Sequence, residues 1–204
     1  MYKRQYLLSV ALAGGTTETV IPFLGSVDLG FFYYILAAVF IVGMVNAVNF
    51  TDGIDGLNTS VTLVVALVFS VIAMLLNRVG LSLYAAAIVG AMIGFLFWNA
   101  NPAKVFMGDT GSLFLGGAVC ALAFGVDMPI LLILIGIIYI VEILSVVLQV
   151  TYFKISHGKR IFKMAPIHHH FEMCGWNENK ICFVFSGVTL FAGIIGVLLA
   201  VFGC

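Results

Sequence analysis

Long uncharged stretches alternate with short polar segments along almost the whole chain. Runs without Asp, Glu, Lys or Arg cover residues 29–51, 56–77, 79–103, 110–126 and 181–204, and residues 128–153 carry only Glu142. A bilayer core of about 30 Å needs roughly 20 helical residues, so each run is long enough, or nearly so, to span it. Strands open to lipid would leave backbone groups unpaired, and the sequence lacks the alternation of a barrel. The pattern predicts an all-α, polytopic integral membrane protein with about six transmembrane helices.

Composition and charge agree with this prediction. Of the 204 residues, 63% are apolar and 9% are charged, whereas soluble domains of this size carry about a quarter charged residues. Nine Lys and Arg residues balance nine Asp and Glu residues, so the chain lacks the basic excess of a nucleic-acid binder. We therefore expect contact with membrane lipid and no nucleic acid partner. The four cysteines lack the spacing of a metal site, and we expect no disulfide framework.

The connecting segments predict the orientation in the membrane. Because successive spans alternate in direction, Arg78, Asp127 and residues 18–28 should lie on one side. Three loops should lie on the other side: the first loop at about residues 50–60, the second at 99–111 and the third at 154–180. Apart from the N-terminal segment, this second side holds every Lys and Arg except Arg78, so the positive-inside rule makes it cytoplasmic.

The N-terminal segment has two interpretations. Lys3 and Arg4, followed by the apolar residues 6–13 and two glycines, imitate a signal peptide that ends in Ala-x-Ala. The alternative is the remnant of a helix whose upstream part is missing, because a run this short cannot span a bilayer.

The first loop is dense in carboxylates and amides. Asp52 and Asp55 lie close to Asn46, Asn49 and Asn58. A spacing of three would place both carboxylates on one side of a helical turn. Capping of a helix N-terminus would explain a single Asp, but this density of polar groups beside a membrane favours a functional site.

The second loop offers a place for a cation and phosphates. Asp109 lies between Gly108 and Gly111 at the start of the next predicted span, where phosphate oxygens could approach the positive end of the helix. Mg²⁺ prefers one or two protein oxygen ligands together with substrate phosphates, so Asp109 and one Asn of the first loop would suffice. Phe106 could stack on a planar ring or anchor the chain at the membrane surface.

The third loop carries three consecutive histidines among basic residues. His168, His169 and His170 lack the i, i+4 spacing of a zinc-binding helix. In extended backbone at most His168 and His170 would face one site together. The setting suits a ligand that bears phosphate, with attraction to anionic lipid headgroups as the alternative. Glu142, the one acid within a predicted span, is expected to face protein as a buried pair or hydrogen-bonded acid.

Taken together, the three loops resemble those of the phospho-N-acetylmuramoyl-pentapeptide transferase family, the bacterial translocases that form lipid I. The matching segments are NAVNFTDGIDGL at residues 46–57, PAKVFMGDTGSL at 102–113 and MAPIHHHFEMCGW at 164–176. The first two also fit the wider group of polyprenyl-phosphate N-acetylhexosamine-1-phosphate transferases, and the third points to the muramoyl-pentapeptide branch. A transporter or a non-catalytic membrane protein is the alternative from another class. Its polar groups would lie nearer the midplane of the membrane.

The resemblance implies an activity and its partners. Phospho-MurNAc-pentapeptide would pass from UDP-MurNAc-pentapeptide to undecaprenyl phosphate, with Mg²⁺ as cofactor and with release of UMP, in the first membrane step of peptidoglycan synthesis. The transferase domain would comprise residues 1–204 in the bacterial inner membrane, with its active face cytoplasmic. The family often forms homodimers, so the resemblance also allows a homodimer here.

The resemblance also assigns roles residue by residue. Asn49 and Asp109 match the Mg²⁺ site, and Asp52, His168 and His169 match catalytic positions. The positions that match substrate-binding residues are Asn46, Asp55, Asn99, Phe106, Gly108 and His170. Among these, Phe106 matches the aromatic residue against which uracil packs.

The sequence departs from the family pattern in its N-terminal part. Family members have more spans than this sequence offers and carry an adjacent Asp-Asp pair, which this sequence lacks. We therefore interpret residues 6–13 as the truncated tail of a helix. We expect the 204 residues to be a C-terminal portion that is inactive alone.

Overall fold

Long helices dominate the computed structural model, which describes residues 17–203. Two strands, β1 (Glu18–Ile21) and β2 (Gly25–Asp28), precede the helices α1 (Phe31–Thr51), α2 (Leu57–Leu75), α3 (Val79–Asn99), α4 (Gly108–Gly125), α5 (Leu131–Ile135), α6 (Ile137–Ile155), α7 (Ile167–Met173) and α8 (Glu178–Phe202). Six of these helices are long and apolar enough to cross a membrane. The predicted all-α polytopic fold is confirmed, while the proposed helix remnant at residues 6–13 lies outside the described residues.

The helix ends refine the predicted spans. The third helix ends at Asn99, four residues early, because Ala100 is extended and Pro102 follows shortly after it. The fifth predicted span, residues 128–153, is interrupted at Gly136 and forms α5 and α6. The fourth helix begins at Gly108, which brings Asp109 into its first turn, as predicted.

Helix α2 is the most deeply buried of the six spans and packs on α3 and α8, while α1 packs on α4 and α6. In lipid, helices associate through close packing and polar contacts, so small residues matter at their interfaces. Gly193 of α8 lies where an added Cβ would be 2.4 Å from a Val68 methyl. A polar contact joins α2 to α6, where the hydroxyls of Thr62 and Tyr139 lie 2.7 Å apart. These contacts hold α1, α2, α4 and α6 together beneath the three loops.

A β-hairpin, which the sequence analysis did not predict, closes the other end of the bundle. Strand β1 pairs antiparallel with β2, and four-residue strands are too short to give a clear alternating pattern. The Val20 N–H donates to the Asp127 carbonyl at 2.9 Å, and the exposed Arg78–Asp127 ion pair lies beside it. The Phe23 N–H donates to the Gly203 carbonyl at 2.6 Å. Residues 18–28 therefore share one end with Arg78 and Asp127, as predicted.

Candidate active site at the polar end of the bundle

The three loops meet at the end of the bundle that lies opposite the hairpin. The first and second loops are joined by hydrogen bonds from Asn49 to Asp109 and from the Ala103 N–H to Asp55. The third loop reaches the first through His168, whose ring lies against Gly53. Chemistry-bearing residues that are far apart in the sequence are therefore brought to one place.

A close approach of α1 and α4 brings the first two loops together. At Gly116, an added Cβ would lie 2.7 Å from the Cα of Val45 and 3.1 Å from its carbonyl oxygen. Only a residue without a side chain allows two backbones to come this close. One helical turn nearer the loops, Asn49 follows Val45 on α1, and Ser112 precedes Gly116 on α4.

Asn49 and Asp109 lie directly beside each other. The Asn49 side chain donates from Nδ2 to Asp109 Oδ1 at 3.0 Å and to Ser112 Oγ at 2.8 Å. The Ser112 hydroxyl donates in turn to the Gly108 carbonyl at 3.0 Å. Asp109 is exposed in the first turn of α4, where the helix dipole favours negative charge.

Asp52 adds a second carboxylate near the Asn49–Asp109 contact. Burial raises the pKa of Asp52 to about 6, and the neighbouring charge of Asp109 acts in the same direction, while a hydrogen bond with Asn58 opposes both. Two carboxylates that repel each other in a half-buried site are the arrangement that a bound cation stabilises.

The donor set fits Mg²⁺ better than a transition metal. Across residues 17–203, no three His, Cys, Asp or Glu side chains form a group that could hold a metal ion. Mg²⁺ rarely uses such a cage, since it keeps waters and substrate phosphates in its coordination shell. Asn49 carries both a donor and an acceptor, so it can donate to Asp109 here and offer its oxygen to a cation. Asn49, Asp109 and Asp52 would supply the hard oxygen atoms that such a site needs.

Asp55 and Asn99 hold the second loop in place. The Ala103 N–H donates to Asp55 Oδ2 at 2.8 Å, and Asn101 donates to the same oxygen at 3.3 Å. Asn99 is buried, accepts from Thr59 at 2.6 Å and donates to the Val105 carbonyl at 3.0 Å. Both side chains therefore make hydrogen bonds within the protein.

The predicted helical turn between Asp52 and Asp55 is wrong. Helix α1 ends at Thr51, and the next helix begins at Leu57, so the segment between them is a turn. The charge of Asp109 raises the pKa of Asp52, whereas the Asp55 carboxylate accepts from the backbone of the second loop. Glycines on both sides of Ile54 and Asp55 favour a turn over a helix.

Three predicted substrate-binding residues have no side-chain bond to Asn49, Asp52 or Asp109, although Gly108 directly precedes Asp109 and its carbonyl accepts from Ser112. Asn46 is exposed and donates to the Val42 carbonyl of its own helix at 2.7 Å. Phe106 is 73% exposed and lines an apolar groove of about 400 Å³ between α3 and α4. Gly108 has a φ of 63°, a left-handed conformation that suits glycine at the start of α4.

The histidines occupy the short helix α7 rather than an extended segment. His168 is fully buried, and its Nδ1 lies 2.9 Å from Glu142 Oε2. The expectation that Glu142 faces protein as a buried pair is confirmed. The expected extended backbone, in which at most His168 and His170 would face one site, is replaced by a helix. Side chains two residues apart on a helix point about 200° apart, so His168 and His170 face different sides.

The other two histidines bond within the third loop. His169 Nδ1 lies 2.5 Å from Glu172 Oε2, and the pair is partly exposed. His170 Nδ1 accepts from the Lys163 N–H at 3.1 Å, which leaves the ring edge facing Cys174. Of the three histidines, it is His168 that lies against the first loop.

Sequence reasoning missed three residues that shape this end of the bundle. Ser112 lies three residues after Asp109, and that helical spacing was a usable signal. Gln149 accepts from the Ile161 and Phe162 N–H groups at 3.1 and 2.9 Å, which attaches the third loop to α6. Glu178 accepts from the Asp55 N–H at 2.9 Å, a contact across the fold that no local pattern indicates.

Comparison with known proteins places this arrangement among transferases. The family model described as glycosyl transferase family 4 matches residues 5–127. A phospho-N-acetylmuramoyl-pentapeptide-transferase of Clostridium botulinum (strain Eklund 17B / Type B) is 52% identical over 196 residues, covering 93% of this chain and 60% of that protein. The resemblance drawn from the three loops is confirmed.

Two further relatives carry the same name. The Clostridium perfringens (strain SM101 / Type A) protein is 55% identical over 175 residues, covering 85% of this chain and 54% of that protein. The Listeria monocytogenes serotype 4b (strain CLIP80459) protein is 46% identical over 211 residues, covering 98% of this chain and 65% of that protein. The chain thus spans between 54% and 65% of the length of these three relatives.

Proposed function

Because this chain belongs to glycosyl transferase family 4, we propose that its polar end transfers a phospho-sugar from a nucleotide to a lipid phosphate. The observation that carries the proposal is the contact of Asn49 with Asp109, which unites the first two loops beside Asp52. The name of the relatives, phospho-N-acetylmuramoyl-pentapeptide-transferase, supports a muramoyl-pentapeptide donor. We propose UDP-MurNAc-pentapeptide as the donor and undecaprenyl phosphate as the acceptor.

The reaction exchanges one phosphoanhydride bond for another. An oxygen of the lipid phosphate attacks the phosphorus that bears the sugar, a new P–O bond forms, and the bond to UMP breaks. The products are lipid I and UMP. Catalysis of such a transfer rests mainly on positioning and charge stabilisation.

The residues of the cluster have separate tasks in this proposal. Asn49 and Asp109 would hold Mg²⁺, which when bound neutralises charge on the diphosphate. Asp52 faces the same place and is assigned to catalysis. Asp55 and Asn99 would act by holding the second loop in position through their hydrogen bonds to the backbone of Ala103 and Val105.

The third loop supports the muramoyl-pentapeptide donor over other UDP-sugars. The family match ends at residue 127, before this loop, whereas the Clostridium botulinum relative aligns with 93% of the chain. His169 and His170 are partly exposed on α7, above the buried His168. We assign these histidines to the catalytic and substrate-binding roles that the family resemblance implies.

The proposed location is the bacterial inner membrane, with the polar end in the cytoplasm. The second and third loops carry every Lys and Arg of residues 17–203 except Arg78. Lys180 ends the third loop in the first turn of α8. This asymmetry obeys the positive-inside rule. UDP-linked substrates are soluble, so the donor would reach the site from that side.

The direct test uses a chimera, in which this chain replaces the aligned segment of the Clostridium botulinum relative. Exchange of radiolabelled UMP into UDP-MurNAc-pentapeptide should require Mg²⁺ and the chimera, and the 204-residue chain alone should be inactive. UDP-N-acetylglucosamine should not exchange. Preference for UDP-N-acetylglucosamine would overturn the choice of donor, and no exchange with either donor would overturn the transferase proposal.

Asp52 should set the pH dependence of cation binding. Its pKa is raised to about 6, so the carboxyl is mostly protonated at pH 5 and ionised at pH 7. A cation favours the ionised form, so the affinity for Mn²⁺ should rise by up to about tenfold per pH unit below pH 6 and then level off. Isothermal titration of the chain with Mn²⁺ between pH 5 and pH 8 measures this change.

The same pKa shift has an opposite effect on the cation-free chain. The pKa of Asp52 exceeds its ordinary value of 3.8, so its stabilising contribution is complete below that value and is lost as pH rises through about 6. The Asp52→Asn variant should lack both effects. If that variant kept the full pH dependence of Mn²⁺ binding, another group would be responsible.

A further inference from the structure

Glu142 and His168 form a completely buried pair. Both side chains are 0% exposed, and His168 Nδ1 lies 2.9 Å from Glu142 Oε2. Glu142 belongs to the membrane-spanning helix α6, where an ionisable group costs about 2.5–3.5 kcal/mol or more on insertion scales. Such a residue needs a specific partner, and His168 of α7 supplies it across the boundary between span and loop.

The opposite edge of the His168 ring lies against the first loop. A Cβ added at Gly53 would be 2.2 Å from His168 Nε2 and 2.6 Å from Cε1. That Nε2 is buried and has no hydrogen-bond partner among the described residues. The ring is therefore confined between a carboxylate in α6 and the backbone that directly follows Asp52.

We propose that Glu142 is a positioning residue, which fixes the His168 ring and thereby the Asp52–Gly53 turn of the first loop. The Ser145 hydroxyl donates to the Glu142 carbonyl at 2.6 Å, a bond local to α6. A histidine ring that bonds a carboxylate through one nitrogen has its orientation set by that bond. The inference rests on the proposed function only in taking Asp52 as part of the active site.

Two substitutions of Glu142 separate positioning from simple packing. A leucine at residue 142 would fill similar volume but could not bond Nδ1, whereas a glutamine keeps an oxygen that can accept from it. Packing alone would therefore be served by Leu, and positioning would be served by Gln. The partly exposed pair of His169 and Glu172 offers a control on the next residue of α7.

The first experiment measures the ring ¹⁵N chemical shifts of the histidines in the purified 204-residue chain in detergent micelles. We expect Glu142→Leu to change the shifts of His168 and the amide shift of Gly53, and Glu142→Gln to restore both towards the wild-type values. Glu172→Gln should change only the ring of His169. If Glu142→Leu left the His168 and Gly53 signals at their wild-type positions, the proposal would be overturned.

The second experiment applies even if Glu142→Leu fails to fold. Gly53→Ala should lower the melting temperature by several degrees, on the order of 4 °C, because the confined ring cannot move away. In the His168→Ala background the same substitution should have little effect. Gly43→Ala is the control, since nothing lies within 4 Å of a Cβ at that position.

An equal loss from Gly53→Ala in both backgrounds would contradict the contact on which the proposal depends. None of these measurements requires transferase activity. Failure of the UMP exchange assay with intact histidine signals would therefore count against the proposed function alone. Success of that assay with unchanged signals in Glu142→Leu would count against the positioning role alone.

Discussion

Replacing Asp109 by Asn should lower the Mg²⁺-dependent UMP exchange of the chimera about 10²- to 10³-fold. Asparagine has the same shape and can still accept from Asn49, so the hydrogen bond at 3.0 Å can persist and the fold should be retained. What is lost is the negative charge that would hold the cation beside the diphosphate. Initial rates at saturating donor, measured over a series of Mg²⁺ concentrations, give the size of the loss.

The matched control is Asp127→Asn at the other end of the bundle. Asp127 pairs with Arg78 in an exposed ion pair, which contributes at most about 1 kcal/mol to stability. The exchange rate of this variant should stay within about twofold of the wild type, since a surface pair remote from the site leaves catalysis alone. Equal rates for Asp109→Asn and Asp127→Asn would exclude Asp109 from the reaction.

Gly116→Ala should have the largest effect on stability among single-methyl additions in α4. The new Cβ would lie 2.7 Å from the Cα of Val45, and backbone cannot yield as a flexible side chain can. Separation of α1 and α4 should cost about 1–3 kcal/mol in the free energy of unfolding. Since Asn49 and Ser112 lie one turn from this contact, the affinity for Mn²⁺ should fall as well.

The neighbouring Gly117→Ala variant provides the comparison. Nothing lies within 4 Å of a Cβ at that position, so stability and Mn²⁺ affinity should match the wild type. Unfolding of each variant in mixed micelles of increasing SDS content measures stability. Identical behaviour of the two variants would show that the approach of α1 and α4 does not place the first two loops.

The spans could be predicted because long apolar runs have one stable form in lipid. What escaped prediction was local geometry set by a few contacts. The break at Gly136 lies within a continuous apolar run, and the β-hairpin depends on backbone bonds to Asp127 and Gly203. Neither feature produces a periodic pattern in the sequence.

The contact between the first two loops was predictable, but the geometry of the candidate site was not. Resemblance selected Asn49 and Asp109, and the structure places them in direct contact. Their proximity depends on Gly116, one glycine among several in an apolar run, which no sequence pattern distinguishes. Asp55 was expected to act beside Asp52, but its carboxylate accepts from the backbone of the second loop.

The conformation of the histidine segment escaped prediction for a related reason. Three consecutive polar residues in a long loop suggested extended backbone, yet Pro166 begins a short helix that buries His168 against Glu142. The partner lies in a different element, 26 residues earlier in the chain. A lone acid in a span and a buried imidazole each signal a missing partner, and only the fold shows that they are partners of each other.

The proposed function requires that the first and second loops form one cation site for phosphate chemistry. Titration of the purified chain with Mn²⁺, followed by electron paramagnetic resonance, tests it without need of catalysis. We expect one bound Mn²⁺ that Mg²⁺ displaces. It should be lost in Asn49→Leu and Asp109→Asn and kept in Asp127→Asn. Unchanged Mn²⁺ binding in both Asn49→Leu and Asp109→Asn would contradict it.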